Sequence, residues 1–377
     1  MREIILPARL LRGLPAALLL IAGGLWLHAV AGPRQALLWA IGAGLGAVLL
    51  LARFGFTGAF RRLFHDGRSE GLRAQLLLIA LVAGSFLPLL ALGEVGGVAL
   101  RGYVFPVGVA LLIGAFLFGI GMQLGGGCGS GTLYAAGAGL PRLWITLAAF
   151  IAGATLAAWQ APLWQDLPAL PPLSLPALFG TGPALALSLG LLAVAALAAR
   201  ARERARHGRV APMPPALLAG AVGLALLSVA TLLVAGRPWA ITAAFPLWGS
   251  HLVAWAGWDD PSFWPYWEDP TRIEAFLRPL WADRITVMDV GLMVGAALAA
   301  ALAGRLAPWR LPRPGEVLAS LIGGLLLGVG AVLASGCNIS AYVGGIASGS
   351  LHGWVWILPA LAGNWVGARL RPLFRLD

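Results

Sequence analysis

The sequence predicts an all-α polytopic membrane protein, and three observations carry that reading. The chain has 377 residues, 59% of them hydrophobic and 11% charged, where a soluble domain has about a quarter of its residues charged. Apolar windows of about 20 residues, long enough to cross a bilayer core, recur from end to end. The basic residues are all arginine, since no lysine occurs, and they sit in short segments between those windows, as the positive-inside bias demands. The net charge of +11 therefore needs no nucleic-acid partner, because no basic domain stands outside the membrane. The short alternating segments of a transmembrane β-barrel do not occur.

About ten spans fit the hydropathy: 11–31, 36–52, 74–93, 104–124, 143–160, 177–199, 215–235, 285–303, 316–335 and 353–370. The first follows a basic start. It reads as a retained helix rather than a cleaved signal peptide, because it is long enough to span and a second span follows at once. Arg2, Arg9 and Arg12 precede the first span, and Arg61, Arg62, Arg68 and Arg73 follow the second. Arg200, Arg202, Arg204, Arg206 and Arg209 follow the sixth, Arg305, Arg310 and Arg313 the eighth, and Arg369, Arg371 and Arg375 the tenth. All fall on one face, read as cytoplasmic, which places both termini inside. The opposite loops are acidic or mixed. The longest, 258–284, carries the acids, prolines and tryptophans of an external segment lying on the membrane interface.

Four stretches are too short and too marked by Gly or Pro to cross: 53–62, 125–141, 237–252 and 335–350. Irregular backbone at membrane depth is tolerated only where protein or a water-filled cavity surrounds it, so these read as re-entrant segments. The chain also repeats itself. IGAFLFGIGMQLGGGC (113–128) aligns without a gap on IGGLLLGVGAVLASGC (322–337) at half the positions, the only two cysteines included. TGAF (57–60) likewise meets TAAF (242–245), each preceded by an arginine, Arg53 and Arg237. Five spans per copy invert the second relative to the first, giving repeats 1–175 and 176–377 within one membrane domain and a solute path at their interface.

The chemistry concentrates in two glycine nests, GGGCGSGT around Cys128 and ASGCNIS around Cys337. Glycines Gly127, Gly129 and Gly336 expose backbone to a solute. A half-helix starting at each cysteine points free N–H groups at the path centre, which favours an anion. A thiol there donates a weak hydrogen bond and gives a soft contact to sulfur. Asn338 donates through its amide, and Thr57 and Thr242 through hydroxyls in the other two breaks. The competing readings are ordinary: a small packing cysteine, a hydroxyl bonded to its own helix, arginines that snorkel, and Gln123 as a cross-helix packing residue. Asp289 and Glu316 could carry a coupling proton, although solvation at helix ends accounts for both. No lysine follows the glycines as a phosphate loop requires, no third glycine completes a dinucleotide fingerprint, and no metal-ligand spacing or cofactor signature occurs.

RFGFTGAFRRLF, GIGMQLGGGCGSGTLY and GVGAVLASGCNIS resemble the YeeE/YedE family of bacterial inner-membrane proteins, over nearly the whole chain. The resemblance implies an hourglass of inverted halves with re-entrant helices and a path on which Cys128 and Cys337 relay thiosulfate by transient hydrogen bonds. It implies a transporter rather than an enzyme. The thiosulfate-transporting members have a further cysteine in the first break, where this chain has Gly55 or a neighbour; a related sulfur or selenium species is the alternative substrate. Two other classes stand beside transport. In a membrane thiol–disulfide redox protein Cys128 and Cys337 would pair, with Cα atoms within about 7 Å. In a scaffold, the arginine-rich loop 200–209 would dock an acidic cytoplasmic sulfur-carrier protein.

Overall fold

The computed structural model describes residues 2–308 and 310–376, with side chains from residue 9 onward. The Arg2 side chain, used above to orient the chain, and residue 377, the end of the second expected repeat, lie outside the described residues. Ten long helices order the molecule: α1 (Arg2–Ala31), α2 (Pro33–Leu51), α3 (Glu70–Leu92), α4 (Val109–Gly125), α5 (Pro141–Trp159), α6 (Thr181–His207), α7 (Pro215–Ala235), α8 (Arg284–Leu302), α9 (Pro314–Leu333) and α10 (Leu351–Leu370). Among the described residues nine helical segments are long and apolar enough to cross a membrane, so the protein is a multi-pass membrane protein.

The tenth expected span, α10, has 20 residues but is not among the nine. Its polar residues account for the shortfall: His352 and Asn364 lower its hydropathy, and both turn inward and are fully buried. Two other spans shift their bounds. The sixth span begins at Thr181, after a separate short helix Leu175–Phe179. It then continues to His207, so most of the expected arginine loop is helix. Glu203 explains the extension: wholly buried, it accepts from the Ser69 hydroxyl at 2.5 Å and from the Ala211 N–H at 3.1 Å, and Arg68 lies 3.4 Å away. The fourth span starts only at Val109, because Val107–Gly108 pairs instead with Ala169–Leu170 in a two-stranded ribbon.

The core is a stack of helix pairs. α2 packs on α8, α5 on α9, α4 on α9 and α10; α3 packs on α6 and α7, and α8 on α1. Glycine makes the central crossings close. A Cβ on Gly114 would lie 2.8 Å from the Gly330 carbonyl oxygen, and one on Gly121 would lie 2.7 Å from that of Gly323. α4 and α9 therefore run antiparallel and touch backbone to backbone, the small-residue packing used where lipid supplies no hydrophobic drive.

Each expected break is a short helix or turn between long helices: Phe56–His65; Gly129–Gly137; Ile241–Ala243 running into Ala244–Trp255; and a π-helical turn Asn338–Gly344 running into Gly345–Ala347. Left-handed glycines stop α4 and α7 just before two of them, Gly126 at φ 87° and Gly236 at φ 72°, a conformation that costs any residue with a Cβ. The segment 258–284, expected outside, packs in part against the bundle. Trp264, Tyr266, Trp267 and Phe276 fold inward against Leu247 and Ala158, while Trp258 and Phe263 stay exposed. The segment is a cap resting on the bundle rather than a strap lying flat.

Candidate functional site

Both thiols occupy the residue just before a short helix, where backbone N–H groups have no intrahelical partner. The Cys128 sulfur accepts from the Gly131 N–H at 3.4 Å and lies 3.5 Å from the Ser130 hydroxyl. The Phe56 N–H, from the first break, faces the same sulfur. At Cys337 the backbone N–H donates to the Ser340 hydroxyl at 2.9 Å, and that hydroxyl faces the sulfur at 3.7 Å. Cys128 is 1% exposed and Cys337 not at all, and both are free thiols.

The nests are close-packed. A Cβ on Gly129 would lie 3.2 Å from the Cys337 sulfur and 3.2 Å from Thr242 Cγ2. One on Gly127 would lie 2.8 Å from the Thr132 N–H nitrogen, and one on Gly336, at φ 135°, would strike the Ser340 hydroxyl. Gly129 thus brings the second, third and fourth breaks together, and the Phe56 N–H adds the first. Of the sequence-derived residues, Cys128, Cys337, Gly127, Gly129, Gly336 and Thr242 converge here, with Asn338 adjoining Cys337 and Thr57 adjoining Phe56.

Several buried polar atoms at this junction have no hydrogen-bond partner among the described residues: the Thr57 hydroxyl, both amide atoms of Asn338, and the Thr132 hydroxyl. An unsatisfied buried polar atom costs about 1–3 kcal/mol, and a solute with oxygens would satisfy these. Thr57 therefore does not bond its own helix. Its carbonyl does accept from Gln123 at 3.1 Å, and Gln123 also donates to Asn364 at 2.8 Å, the cross-helix role expected of it. Sequence reading missed Thr132, Ser130 and Ser340; the signal available was their position within one helical turn of each cysteine. Asp289 is buried on α8 and accepts from the Trp239 indole at 3.1 Å. Glu316 caps α9 through the Arg313 N–H at 2.8 Å.

A cavity of about 700 Å³ lies under the cap and reaches the junction at Thr242, Gly336 and Ser340. Tyr134 lies on the short helix that Cys128 opens. Its hydroxyl would lie 3.7 Å from a Cβ on Gly55, whose extended backbone (φ −135°) suits any residue. Among the described residues no group of three or more His, Cys, Asp or Glu could hold a metal ion.

Residues 51–366 match the family described as sulphur transport. The chain is 29% identical over 361 residues to the thiosulfate transporter TsuA of Spirochaeta thermophila, covering 89% of this chain and 98% of that protein. It is 36% identical over 169 residues to the probable transporter YedE of Escherichia coli, but that match covers 44% of this chain and only 39% of the relative. A shorter match, 37% over 107 residues, reaches the thiosulfate transporter TsuA of Escherichia coli. With both thiol nests inside the matched region, the chain belongs to the sulphur-transport family of multi-pass membrane proteins.

Proposed function

We propose that the protein takes up a small sulfur-containing anion, thiosulfate first among the candidates, along a path on which Cys128 and Cys337 are consecutive stations. One observation carries this: the buried free thiol of Cys337 packs on Gly129, the residue after the buried free thiol Cys128, and the junction, with Thr57, Thr132 and Asn338 unpartnered among the described residues, adjoins the cavity at Thr242, Gly336 and Ser340. The thiols donate to the anion and give its terminal sulfur a soft contact; the flanking N–H groups oppose its charge. No bond to sulfur forms, so a free thiol pair suffices. The activity is that of the relative TsuA, which aligns with this chain over 98% of its own length.

The path lies between two inverted halves, 1–175 and 176–377. Supporting this, residues 209 apart play equivalent parts in the packing. Gly114 and Gly323 are equivalent in sequence, as are Gly121 and Gly330, and the contacts formed are Gly114 with Gly330 and Gly121 with Gly323. Gly119 abuts Ala360 on α10, as its equivalent Gly328 abuts Phe150 on α5. The four breaks are then re-entrant, two from each face, and the arginine belt is cytoplasmic.

Uptake of labelled thiosulfate into vesicles, with sulfate, sulfite and selenite as competitors, tests the function. Saturable uptake of thiosulfate, with labelled sulfate itself not carried, is the expected result; no uptake above empty vesicles refutes it. The orientation is tested by single cysteines at two exposed positions, Ser262 and Ala205. An impermeant reagent added to intact cells labels Ser262→Cys and spares Ala205→Cys. Labelling of both contradicts the topology.

A further inference from the structure

The cavity above the thiols is walled by arginine on the face where the positive-inside bias leaves least of it. Arg34 at the start of α2, Arg237 just after α7 and Arg284 at the start of α8 all line it. None of the three has a carboxylate within 4.0 Å among the described residues. The acids of the same cavity are engaged elsewhere. Asp269 accepts from the Thr271 N–H at 2.9 Å, Asp283 from the Thr286 N–H at 2.7 Å, and Glu274 pairs with Arg278 at 2.5 Å.

Two of the arginines are tied to the carbonyl end of α7: Arg34 donates to Val234 at 2.6 Å and Arg284 to Ala235 at 3.2 Å. Arg237, half-buried, donates to no described residue. Its backbone, by contrast, is fixed on both sides. The Gly236 carbonyl accepts from the Arg101 N–H at 2.8 Å, and the Pro238 carbonyl from the Tyr103 hydroxyl at 2.6 Å. A guanidinium carries five donors in a rigid fork suited to two oxygens at once. A pinned backbone, an unspent fork and two flanking cations form a preorganised clamp for an anion.

We propose that Arg237, flanked by Arg34 and Arg284, is an outer binding site for a tetrahedral, doubly charged oxyanion. It grips the anion by its oxygens before the thiols meet its sulfur. The proposal rests on the transport reading above. It divides the selectivity: the outer site accepts sulfate and thiosulfate alike, and discrimination between them belongs to the thiols below.

Equilibrium binding of labelled thiosulfate and sulfate to the purified full-length protein tests this, alongside uptake kinetics. The wild type binds both anions. Arg237→Gln raises Kd for both, and KM for thiosulfate uptake, about 10- to 100-fold, the loss of a charge-assisted bidentate contact. Its kcat stays within about twofold, because the contact is made before translocation. Arg237→Lys recovers part of the loss, keeping charge without the fork. The Cys128→Ala, Cys337→Ala double variant still binds both anions while transporting neither. Unchanged Kd and KM in an Arg237→Gln protein of normal thermal melt overturns the site; should that variant misfold, wild-type values in Arg237→Lys overturn it instead. Failure of the transport reading looks different: vesicles take up no anion, yet sulfate binding still depends on Arg237.

Discussion

Replacing either thiol with a methyl group, by Cys128→Ala or Cys337→Ala, abolishes thiosulfate uptake while the protein folds as before. The stability cost is small because the volume removed is small, about 1 kcal/mol for one buried sulfur. On the proposed path the loss of transport is large because each sulfur is closed in by protein, 1% exposed at Cys128 and 0% at Cys337. Losing a hydrogen bond to an ion there costs about tenfold or more in rate. Serine rescues poorly, since a hydroxyl is a harder and more strongly hydrated partner than a thiol. A small thiol reagent inactivates the wild type, and thiosulfate protects it. Labelled uptake together with a thermal melt separates the readings. A packing cysteine would show a lowered melt with transport intact, and a redox pair would show electron transfer without net uptake. Normal transport by the double variant would leave only backbone N–H groups to hold the anion.

Gly129→Val closes the junction outright. A Cβ there already approaches the Cys337 sulfur and Thr242 Cγ2 to 3.2 Å, tighter than ordinary van der Waals contact. Alanine asks its neighbours to yield by a few tenths of an ångström, and uptake falls a few-fold. Valine adds two more methyls between three breaks, with overpacking worth about 1–3 kcal/mol, and uptake is lost. The expected signature is a modest drop in melting temperature with sulfate binding in the outer cavity preserved. Wild-type uptake by Gly129→Val would show that the solute does not pass between the nests.

How much of this was legible in the sequence depended on how local its cause is. α7 matched its expected bounds because Pro215 opens it and Gly236 closes it, both signals read one residue at a time. The breaks were legible for the same reason. The end of α6 was not: its extra turns exist because Glu203 finds Ser69, Arg68 and Ala211 across the fold, and no neighbour in the chain announces that. The inward fold of Trp264 and Trp267 was hidden because tryptophan suits both a membrane interface and a buried cap. At the site, the cysteines declared themselves by rarity and by repetition. Thr132 did not, since a threonine within a helix normally bonds its own backbone. Arg237 was legible as a residue. Its role emerges only from the cavity around it and from the cations and spent carboxylates that share it.

The glycine crossings have a mechanical consequence. Where α4 meets α9, Gly114 and Gly330 place carbonyl oxygens within 2.6–2.8 Å of the position a Cβ would take. There backbone meets backbone, with few side-chain atoms between the two helices to slide or rearrange. Shearing one half past the other would have to open several such seams at once, including those at Gly119 and Gly328. The long helices therefore behave as a stiff frame, and the parts left to move are the short helices and the few side chains between them. Such a machine does not lift its cargo on a travelling domain. It works like a valve in a fixed housing, with a small stroke, so its turnover should vary weakly with bilayer thickness.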